Sequence, residues 1–487
     1  MSDYLSLIDR VETADAESKL GRLRVLRLHD IEVWPLIRVR LNNLPPATTH
    51  LMRNVSVGQV LLLIKGGLQL SWAMLRLIIS GPSQSQGCVF FSHPENMAQM
   101  DGQWHDRSCD PISAEAQRLG QATTVLEYSA SLKWIRPSAR PRLDITLVLA
   151  LAKVFSMLLV RMYRYRAKDQ LSELEHYLDE SGANKCVNVN EVHSLAAFVA
   201  CARVLLAVAM RPWRFRLGFV CTYYSSSAMA FVMACRKLDI PVYDIQHGVQ
   251  GEGHVAYRSW RTKDGRMPEA LPDGFWCWDD ASSAHLKSWC SPTAGPRVVI
   301  GGDVWTEYVL SNATDELCRA DDASVRRTVM VSLQPVLSPL PDILLQAMAA
   351  TSADVLWLVR LHPVMTGEFA VKLMEQLHEI SCHNFLIQGN TDDPLPRQLL
   401  RTDLHVTLYS SVVIEAAVLG VFSVLLDSRA VGIFPAAVNS GQAALVHSAQ
   451  EILAFVADAK RTDHSKMPVK RIASALQEIL ENISSPR

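Results

Sequence analysis

Two residues near the middle of the chain have side chains suited to proton transfer. His247 ends the apolar segment "VYDIQHG", and Glu252 lies in the glycine-rich stretch "GEGH" that follows it. An imidazole titrates near neutral pH, so it can accept a proton from a hydroxyl group or contact a phosphate. The neighbouring glycines allow the loop to approach a ligand. We predict His247 as a general base, with Glu252 as a second candidate; the alternative is a turn histidine bonded to the backbone.

A second candidate region follows an apolar segment in the C-terminal half. The sequence "VRLHPV" places Arg360 and His362 directly before Pro363, and a proline cannot continue a ladder of strand hydrogen bonds. The N–H groups of these two side chains are suited to a phosphate, which binds charged donors strongly. The alternative for His362 is a strand-end histidine bonded within the fold, and Arg360 has the alternative of a buried salt bridge.

The sequence "LYSSVVIEAA" is a short apolar strand that turns directly into a helix. Ser410 or Ser411 is expected at the N-cap, where free N–H groups and the helix dipole favour an anion. Glu415 follows within the first turns of that helix and is placed to reach a ribose hydroxyl. Capping alone would explain the serines. Together with His362, however, they predict a site for the phosphates of a nucleotide.

Alternating apolar strands and amphipathic helices must position these residues. The pattern predicts an N-terminal helical segment over residues 1–86 and a first Rossmann-like domain over 87–310 that contains a helical insertion. A second Rossmann-like domain is predicted over 311–465, with a C-terminal helix over 466–487. In open parallel sheets, ligands bind beyond the carboxyl ends of the strands, where the candidate residues lie.

Composition and missing motifs exclude several classes of function. The 487 residues carry a net charge of −1, which argues against nucleic acid as a partner. The ten cysteines form no CxxC pair and no zinc-like spacing with histidine, so we expect reduced thiols, no metal and no cofactor. The chain also lacks a GxxxxGK[ST] phosphate loop and a GxSxG nucleophile motif.

Two apolar segments raise the question of membrane contact. Val55–Ser80 is interrupted by Lys65 and Arg76, and Ile145–Lys168 ends in a cluster of basic residues. A helix that crosses a membrane needs about 20 apolar residues with few or no charges. We predict two helices packed inside a domain of a cytoplasmic protein. The alternative is an interfacial helix that attaches the protein to the inner face of the cytoplasmic membrane.

The order of the motifs resembles a group of bacterial GT-B glycosyltransferases of capsule and lipopolysaccharide assembly. This clan includes capsule Kdo transferases, polysialyltransferases and CDP-glycerol polyol-phosphate transferases. The matching segments are "QHG" (Gln246–Gly248), "LHP" (Leu361–Pro363) and "YSSVVIEA" (Tyr409–Ala416), and "SLQP" adds Gln334 at a strand end. The resemblance covers residues 220–460.

The resemblance implies two facing Rossmann-type domains with a nucleotide donor in the second one. It implies that His362, Ser410 and Ser411 contact the donor phosphates and that Glu415 contacts its sugar. In the sialyltransferase branch, a short acidic-glycine motif supplies the base, and "MDGQWHDR" offers Asp101 for that role. We also expect His247 and His362 to line one cleft.

The resulting expectation is a metal-independent glycosyltransferase. It would move a sugar from a nucleotide-activated donor, with CMP-sugars such as CMP-Kdo favoured, to a growing surface polysaccharide or glycolipid. Three alternatives stay open: a polyol-phosphate transferase that uses a CDP-polyol, a GT-B sugar-nucleotide 2-epimerase, and a non-catalytic scaffold of polysaccharide assembly.

Overall fold

Short buried strands alternate with helices along most of the chain. The computed structural model describes residues 2–15, 17–41, 87–93, 96–128, 142–163, 166–260, 265–290, 295–312, 326–336, 339–362, 365, 367–380, 382, 384–389, 393–459 and 471–484. The predicted apolar segment Val55–Ser80 lies outside these residues, as does Pro363.

The strands and helices have the following bounds. The strands are β1 (Arg27–Leu28), β2 (Ile31–Glu32), β3 (Cys88–Phe91), β4 (Met97–Met100), β5 (Gln103–Asp106), β6 (Thr123–Glu127), β7 (Arg142–Asp144), β8 (Leu217–Cys221), β9 (Val242–Ile245), β10 (Gly274–Cys277), β11 (Arg297–Ile300), β12 (Arg327–Ser332), β13 (Val355–Arg360), β14 (Phe385–Gln388), β15 (Leu404–Thr407), β16 (Ser423–Leu425) and β17 (Ala443–Leu445). The helices are α1 (Ser2–Thr13), α2 (Lys19–Val25), α3 (Val33–Arg40), α4 (Cys109–Arg118), α5 (Thr146–Tyr163), α6 (Lys168–Ser181), α7 (Val189–Met210), α8 (Ser226–Lys237), α9 (Asp280–Trp289), α10 (Val304–Ser311), α11 (Asp342–Ala350), α12 (Gly367–Glu379), α13 (Leu395–Leu400), α14 (Val412–Val418), α15 (Arg429–Ile433), α16 (Pro435–Asn439), α17 (Ala449–Asp458) and α18 (Ile472–Ser484).

Unit 1 is built around a seven-stranded parallel sheet. It comprises residues 1–96, 108–301 and 473–487. The strand order is β11-β10-β9-β8-β3-β6-β7, and every neighbouring pair is parallel. Strands such as β3, β8 and β9 are buried along their whole length, which explains their nearly continuous apolar sequences. The winding of this sheet reverses between β3 and β8, where the first and fourth strands of the sheet are neighbours.

The N-terminal helices of unit 1 hold the loop that follows β9. Arg38 of α3 is fully buried and donates a hydrogen bond from Nε to the carbonyl of Val255 at 2.8 Å, with further bonds to two carbonyls in the same loop. Its guanidinium lies 3.8 Å from the ring centroid of Trp260 and 3.3 Å from the carboxylate of Glu12. A buried charge needs such partners, so Arg38 of the N-terminal helix α3 holds the loop that follows β9 in place.

Unit 2 is built around a six-stranded parallel sheet. It comprises residues 97–107 and 302–472, with the strand order β14-β13-β12-β15-β16-β17. Counted along the sheet's own strands, this is the doubly wound order 3-2-1-4-5-6, and the winding reverses between β12 and β15. Together with unit 1 and the N-terminal helices, this sheet confirms the predicted α/β class.

A hairpin that the sequence analysis placed in the first domain belongs to unit 2. Strands β4 and β5 pair antiparallel and join unit 2 through residues 97–107. Asp101 and Gly102 form the turn with φ angles of 53° and 77°. Two successive left-handed residues are what a two-residue hairpin turn requires, and Asp-Gly is a favoured pair for it.

One predicted buried helix is only partly buried. In α5, which corresponds to Ile145–Lys168, the buried residues are Val148, Leu149, Ala152 and Ser156. The prediction of a helix packed inside a domain is therefore wrong for its exposed apolar residues, which include Phe155, Leu158 and Met162. By length and composition, α5 and the helical stretch Val189–Trp213 could each cross a membrane, and the second is mostly buried within unit 1.

A buried histidine links three strands of the second sheet. His405 is fully buried on β15, with Nε2 2.6 Å from the hydroxyl of Ser332 on β12 and Nδ1 2.9 Å from that of Ser423 on β16. Burial lowers the pKa of His405 to about 3, so the ring is neutral under physiological conditions. The two serines satisfy both ring nitrogens of a neutral imidazole.

Ser332→Ala should lower the free energy of unfolding by about 1–3 kcal/mol, because it leaves one nitrogen of His405 buried without its partner. Urea unfolding of the full chain measures the effect. The control is Ser440→Ala, which removes an exposed hydroxyl from the same unit and should cost less than about 0.5 kcal/mol. Equal losses in both variants would show that the buried network adds no stability.

Candidate functional site

The reversal point of the second sheet brings two predicted site segments together. The side-chain oxygen of Gln334, which follows β12, accepts a hydrogen bond from the backbone N–H of Tyr409 at 3.1 Å. The hydroxyl of Thr407, at the end of β15, donates to the carbonyl of Ser332 at 2.9 Å. Ligands of doubly wound sheets bind in the crevice at this position. Gln334 therefore helps to fix the shape of the crevice.

The two serines open α14 from this crevice. Ser411 occupies the N-cap position, and its hydroxyl makes no capping hydrogen bond in the described part of the chain. The hydroxyl of Ser410 accepts a weak hydrogen bond from the N–H of Val412 at 3.4 Å. Both serines are partly exposed. The expected N-cap is therefore at Ser411, but capping does not use its hydroxyl, which leaves this oxygen available to a ligand.

Arg360 and His362 follow the neighbouring strand β13. Arg360 is buried, and one of its terminal nitrogens donates to the carbonyl of Asp393 at 3.1 Å. His362 lies two residues further along and is half-buried. Because β13 pairs directly with β12, these side chains lie at the same edge of the sheet as Gln334.

An arginine and an aromatic ring form the opposite side of this edge. The guanidinium of Arg429 lies 4.4 Å from the ring centroid of Tyr409 and forms a 2.6 Å ion pair with Asp427, which follows β16. Arg429 is exposed at this edge. The edge therefore carries basic side chains on both sides of the two serines, which suits an anionic ligand.

Glu415 is the most perturbed acid of this edge. Burial raises the pKa of its carboxyl to about 8, and the nearby carboxylate of Asp303 raises it further, while Arg107 and Arg360 partly offset both effects. Asp303 caps α10 by accepting hydrogen bonds from the N–H groups of Trp305 and Thr306. Burial raises the pKa of Asp303 as well. Two acids thus share one region of unit 2.

A carboxyl group with a pKa of about 8 is mostly protonated at neutral pH. In that form the carboxyl of Glu415 can donate a hydrogen bond and does not repel an anion, a use of raised-pKa acids known from other enzymes. The sequence analysis found Glu415 but missed Asp303 and Arg107. Asp303 lies in "GGDVW", and its position after a strand and before a helix was the available signal.

Glu415→Gln should remove one component of the pH dependence of stability. The folded chain keeps the Glu415 proton up to pH about 8, whereas an unfolded glutamate loses it near 4.5. Stability of the parent therefore falls as pH rises through this window, and the variant should lack this fall. Urea unfolding across that pH range measures it, with the exposed Glu375→Gln as the control. An unchanged slope in Glu415→Gln would show that the carboxyl titrates normally.

His247 lies at the corresponding edge of the first sheet. Its Nε2 is 3.1 Å from the hydroxyl of Tyr224, which follows the neighbouring strand β8, and the ring is half-buried. Its ring also packs at 6.4 Å from that of Tyr257, whose hydroxyl donates to the buried Asp244 at 2.8 Å. This arrangement holds the imidazole in one orientation while part of it stays exposed.

The side-chain amide of Gln246, beside His247, makes all of its hydrogen bonds described here within the fold. Its amide nitrogen donates to the carbonyl of Gly248 at 2.8 Å and to the hydroxyl of Ser282 at 3.1 Å. Its oxygen accepts from the N–H of Trp278 at 2.7 Å. The "QHG" segment thus combines a glutamine that fixes the strand end with a half-buried histidine that Tyr224 orients.

The two other candidate bases are held in ion pairs. Asp101 forms a bidentate pair with Arg397, both distances being 2.9 Å, and this hydrogen bonding lowers the pKa of Asp101. Glu252 is exposed and lies 2.8 Å from Arg258. A carboxylate stabilised by an arginine is a weaker proton acceptor, so the geometry disfavours Asp101 in particular.

Asp101 also belongs to unit 2 rather than to the unit that contains His247. Together with Asp393 and Arg397 it lines a polar cavity of about 300 Å³ between the β4–β5 turn and the start of α13. Since His247 and His362 lie in different units, the expectation that they line one cleft stays a prediction.

Within the described residues, no group of three or more His, Cys, Asp or Glu side chains could hold a metal ion. No protein-family profile matches the chain, and no curated protein matches it in sequence. Among solved structures, UDP-GlcNAc 2-epimerase from Neisseria meningitidis bound to UDP-GlcNAc is similar over 81% of this chain and 99% of that chain, at 14% identity and a TM-score of 0.48.

Two further structures show a similar degree of likeness. UDP-GlcNAc 2-epimerase from Methanocaldococcus jannaschii matches 82% of this chain and 99% of its own, at 12% identity and a TM-score of 0.48. The glycosyltransferase SnogD from Streptomyces nogalater matches 82% of this chain and 100% of its own, at 16% identity and a TM-score of 0.42. At these values the likeness carries no argument about what this chain does.

Proposed function

We propose that this chain is a glycosyltransferase that uses a nucleotide-activated sugar. The observation that supports it is the edge of the second sheet, where residues after three neighbouring strands offer donors to an anion. Gln334 and Tyr409 close the reversal point, Ser411 leaves its hydroxyl unused by capping, and Arg360 brings a positive charge to the same edge. This combination suits the diphosphate or monophosphate of a nucleotide.

In this proposal the donor phosphate contacts His362 and the hydroxyls of Ser410 and Ser411. Arg360 and Arg429 contribute positive potential from either side. The protonated carboxyl of Glu415 donates a hydrogen bond to an oxygen of the donor sugar or ribose, which an ionised carboxylate could not do. The favoured donor is a CMP-sugar such as CMP-Kdo, and the acceptor is a surface polysaccharide or a glycolipid.

The proposed reaction is a displacement at the anomeric carbon of the donor sugar. The acceptor hydroxyl loses its proton to a base and forms the new bond to that carbon, while the bond to the phosphate oxygen breaks and the nucleotide leaves. His247 is the proposed base, because its ring is oriented by Tyr224 and half-exposed. Asp101 and Glu252 are weaker candidates because arginines hold both carboxylates.

Incubation with nucleotide sugars, with and without a glycan acceptor, separates the proposed activity from its alternatives. Release of nucleotide that requires the acceptor supports a glycosyltransferase. Conversion of the donor sugar without acceptor would identify a 2-epimerase, and transfer from a CDP-polyol would identify a polyol-phosphate transferase. Binding without any turnover would favour a scaffold. A panel of CMP-, CDP-, UDP- and GDP-linked donors covers these outcomes.

Replacing the residues that contact the donor phosphate should weaken nucleotide binding without unfolding the chain. Hydrogen bonds to charged groups contribute about 1.5–3 kcal/mol, so His362→Ala or the double variant Ser410→Ala/Ser411→Ala should weaken binding at least about tenfold. Calorimetric titration with CMP, CDP, UDP and GDP measures it. Ser440→Ala is the control, since its hydroxyl lies on the exposed end of α16. If the double variant binds its best nucleotide as tightly as the parent does, the phosphate site lies elsewhere.

His247→Ala should lower turnover by about 10²–10⁴ while the donor dissociation constant stays within about twofold, because a general base acts on the acceptor. Initial rates and calorimetry on the same preparation separate the two quantities. His176→Ala, which removes an exposed histidine of α6, should leave both unchanged. Near-normal turnover in His247→Ala would assign this histidine a structural role.

A further inference from the structure

Helix α5 presents large apolar side chains to solvent. Phe155, Leu158 and Met162 are spaced by three and four residues and so share one stripe, with exposed fractions of 46%, 53% and 72%. On α7, Val204 and Val208 are also exposed, by 44% and 50%. We call these five residues the α5–α7 face. A helix that is apolar on all sides is normally buried, so this face is expected to be covered by something in the working protein.

The two helices pack side by side and run in opposite directions. The ring of His29 lies 4.9 Å from that of His193, near the start of α7, and 5.7 Å from that of Tyr163, at the end of α5. The end of α5 therefore lies beside the start of α7, and the end of α7 lies at the other end of the pair. All of these residues belong to unit 1.

Basic residues flank the α5–α7 face at both ends. Residues 146–168 contain two lysines and three arginines but no acidic residue, and Arg161 and Arg166 are exposed. At the end of α7, the sequence "RPWRFR" over residues 211–216 adds three arginines and a tryptophan. Arg211 and Arg214 in that sequence are exposed. An apolar stripe bordered by arginines and an aromatic ring is the composition of a helix that lies in a membrane interface.

We propose that the α5–α7 face docks onto the surface of a membrane that contains anionic lipid. The apolar stripe enters the boundary between headgroups and acyl chains, and the flanking arginines contact lipid phosphates. Docking parallel to the surface keeps Val148, Leu149 and Ala152 packed in unit 1, where they are buried. This inference does not depend on the proposed function.

Charge favours a lipid surface over a second copy of the chain as the occupant. In a symmetric pair the same surface of both copies meets, so the arginines at the two ends of one face would lie against the arginines of the other. Such like charges repel, whereas anionic headgroups neutralise them. The charge of the flanking residues therefore matches the lipid.

Sedimentation of the full chain with vesicles tests the proposal. The chain should bind vesicles that contain phosphatidylglycerol, bind phosphatidylcholine vesicles at least about tenfold more weakly, and lose affinity in high salt. Leu158→Glu/Met162→Glu should weaken binding to the anionic vesicles at least about tenfold. The control Val371→Glu/Met374→Glu changes two comparably exposed apolar residues on α12 of unit 2 and should leave binding unchanged.

A second variant keeps the proposal testable if the first variant misfolds. Arg211→Ser/Arg214→Ser changes exposed side chains outside the apolar stripe and should weaken binding to anionic vesicles several-fold with an unchanged melting temperature. Failure of the parent chain to bind anionic vesicles overturns the proposal. Two results with the Leu158→Glu/Met162→Glu variant would also overturn it. In the first, the variant binds vesicles normally but changes from dimer to monomer in light scattering. In the second, its melting temperature drops while vesicle binding persists. Those two results would identify a second copy or another segment of this chain as the cover.

Discussion

The candidate site depends on the strand order of the second sheet. The chain winds outward from β12 to β14, returns to the other side of β12 with β15, and so leaves the ends of β12 and β15 side by side. The hydrogen bond from the backbone N–H of Tyr409 to the side-chain oxygen of Gln334 closes this point. Because the helices that follow these strands lie on either side of the sheet, the two strand ends form a crevice. Residues that are 75 positions apart in the sequence, such as Ser332 and Thr407, are brought into direct contact there.

The acids of unit 2 differ in the direction of their pKa shifts. Asp101 and Asp427 of unit 2 are paired with arginines that lower their pKa. Glu415 instead lies near Asp303, and burial outweighs the two arginines that act on it. The cost of burying this carboxyl is reduced by keeping its proton. In the proposed site, this neutral acid beside arginines and serine hydroxyls would accept an anion and still offer a donor to neutral oxygens, which is the mixture that a sugar phosphate presents.

Much of this arrangement could be predicted from the sequence, because its signals are local. Apolar strands that are followed directly by polar residues such as His247, His362 and Ser410 place polar groups at sheet edges by periodicity alone, and the α/β class follows from the same alternation. Contacts between distant segments left no such signal. The pairing of Asp101 with Arg397, 296 residues away, and the approach of Asp303 to Glu415 depend on tertiary packing. The Asp-Gly turn of the β4–β5 hairpin was visible in the sequence, but its membership of unit 2 was not. Helix α5 is a case in which a local signal misleads. Its apolar composition predicts burial but does not indicate what would cover it.

The central claim is that a nucleotide donor binds at the edge of the second sheet, and hydrogen–deuterium exchange with and without saturating nucleotide tests it most directly. The account predicts slower exchange in peptides that contain Leu333–Pro335 and Tyr409–Glu415, because the ligand orders the crevice between β12 and β15 and covers its backbone amides. Peptides from α17, on the same unit but away from this edge, should be unchanged. Protection confined to unit 1, or bound nucleotide with no protection in either of the two crevice peptides, would contradict the account.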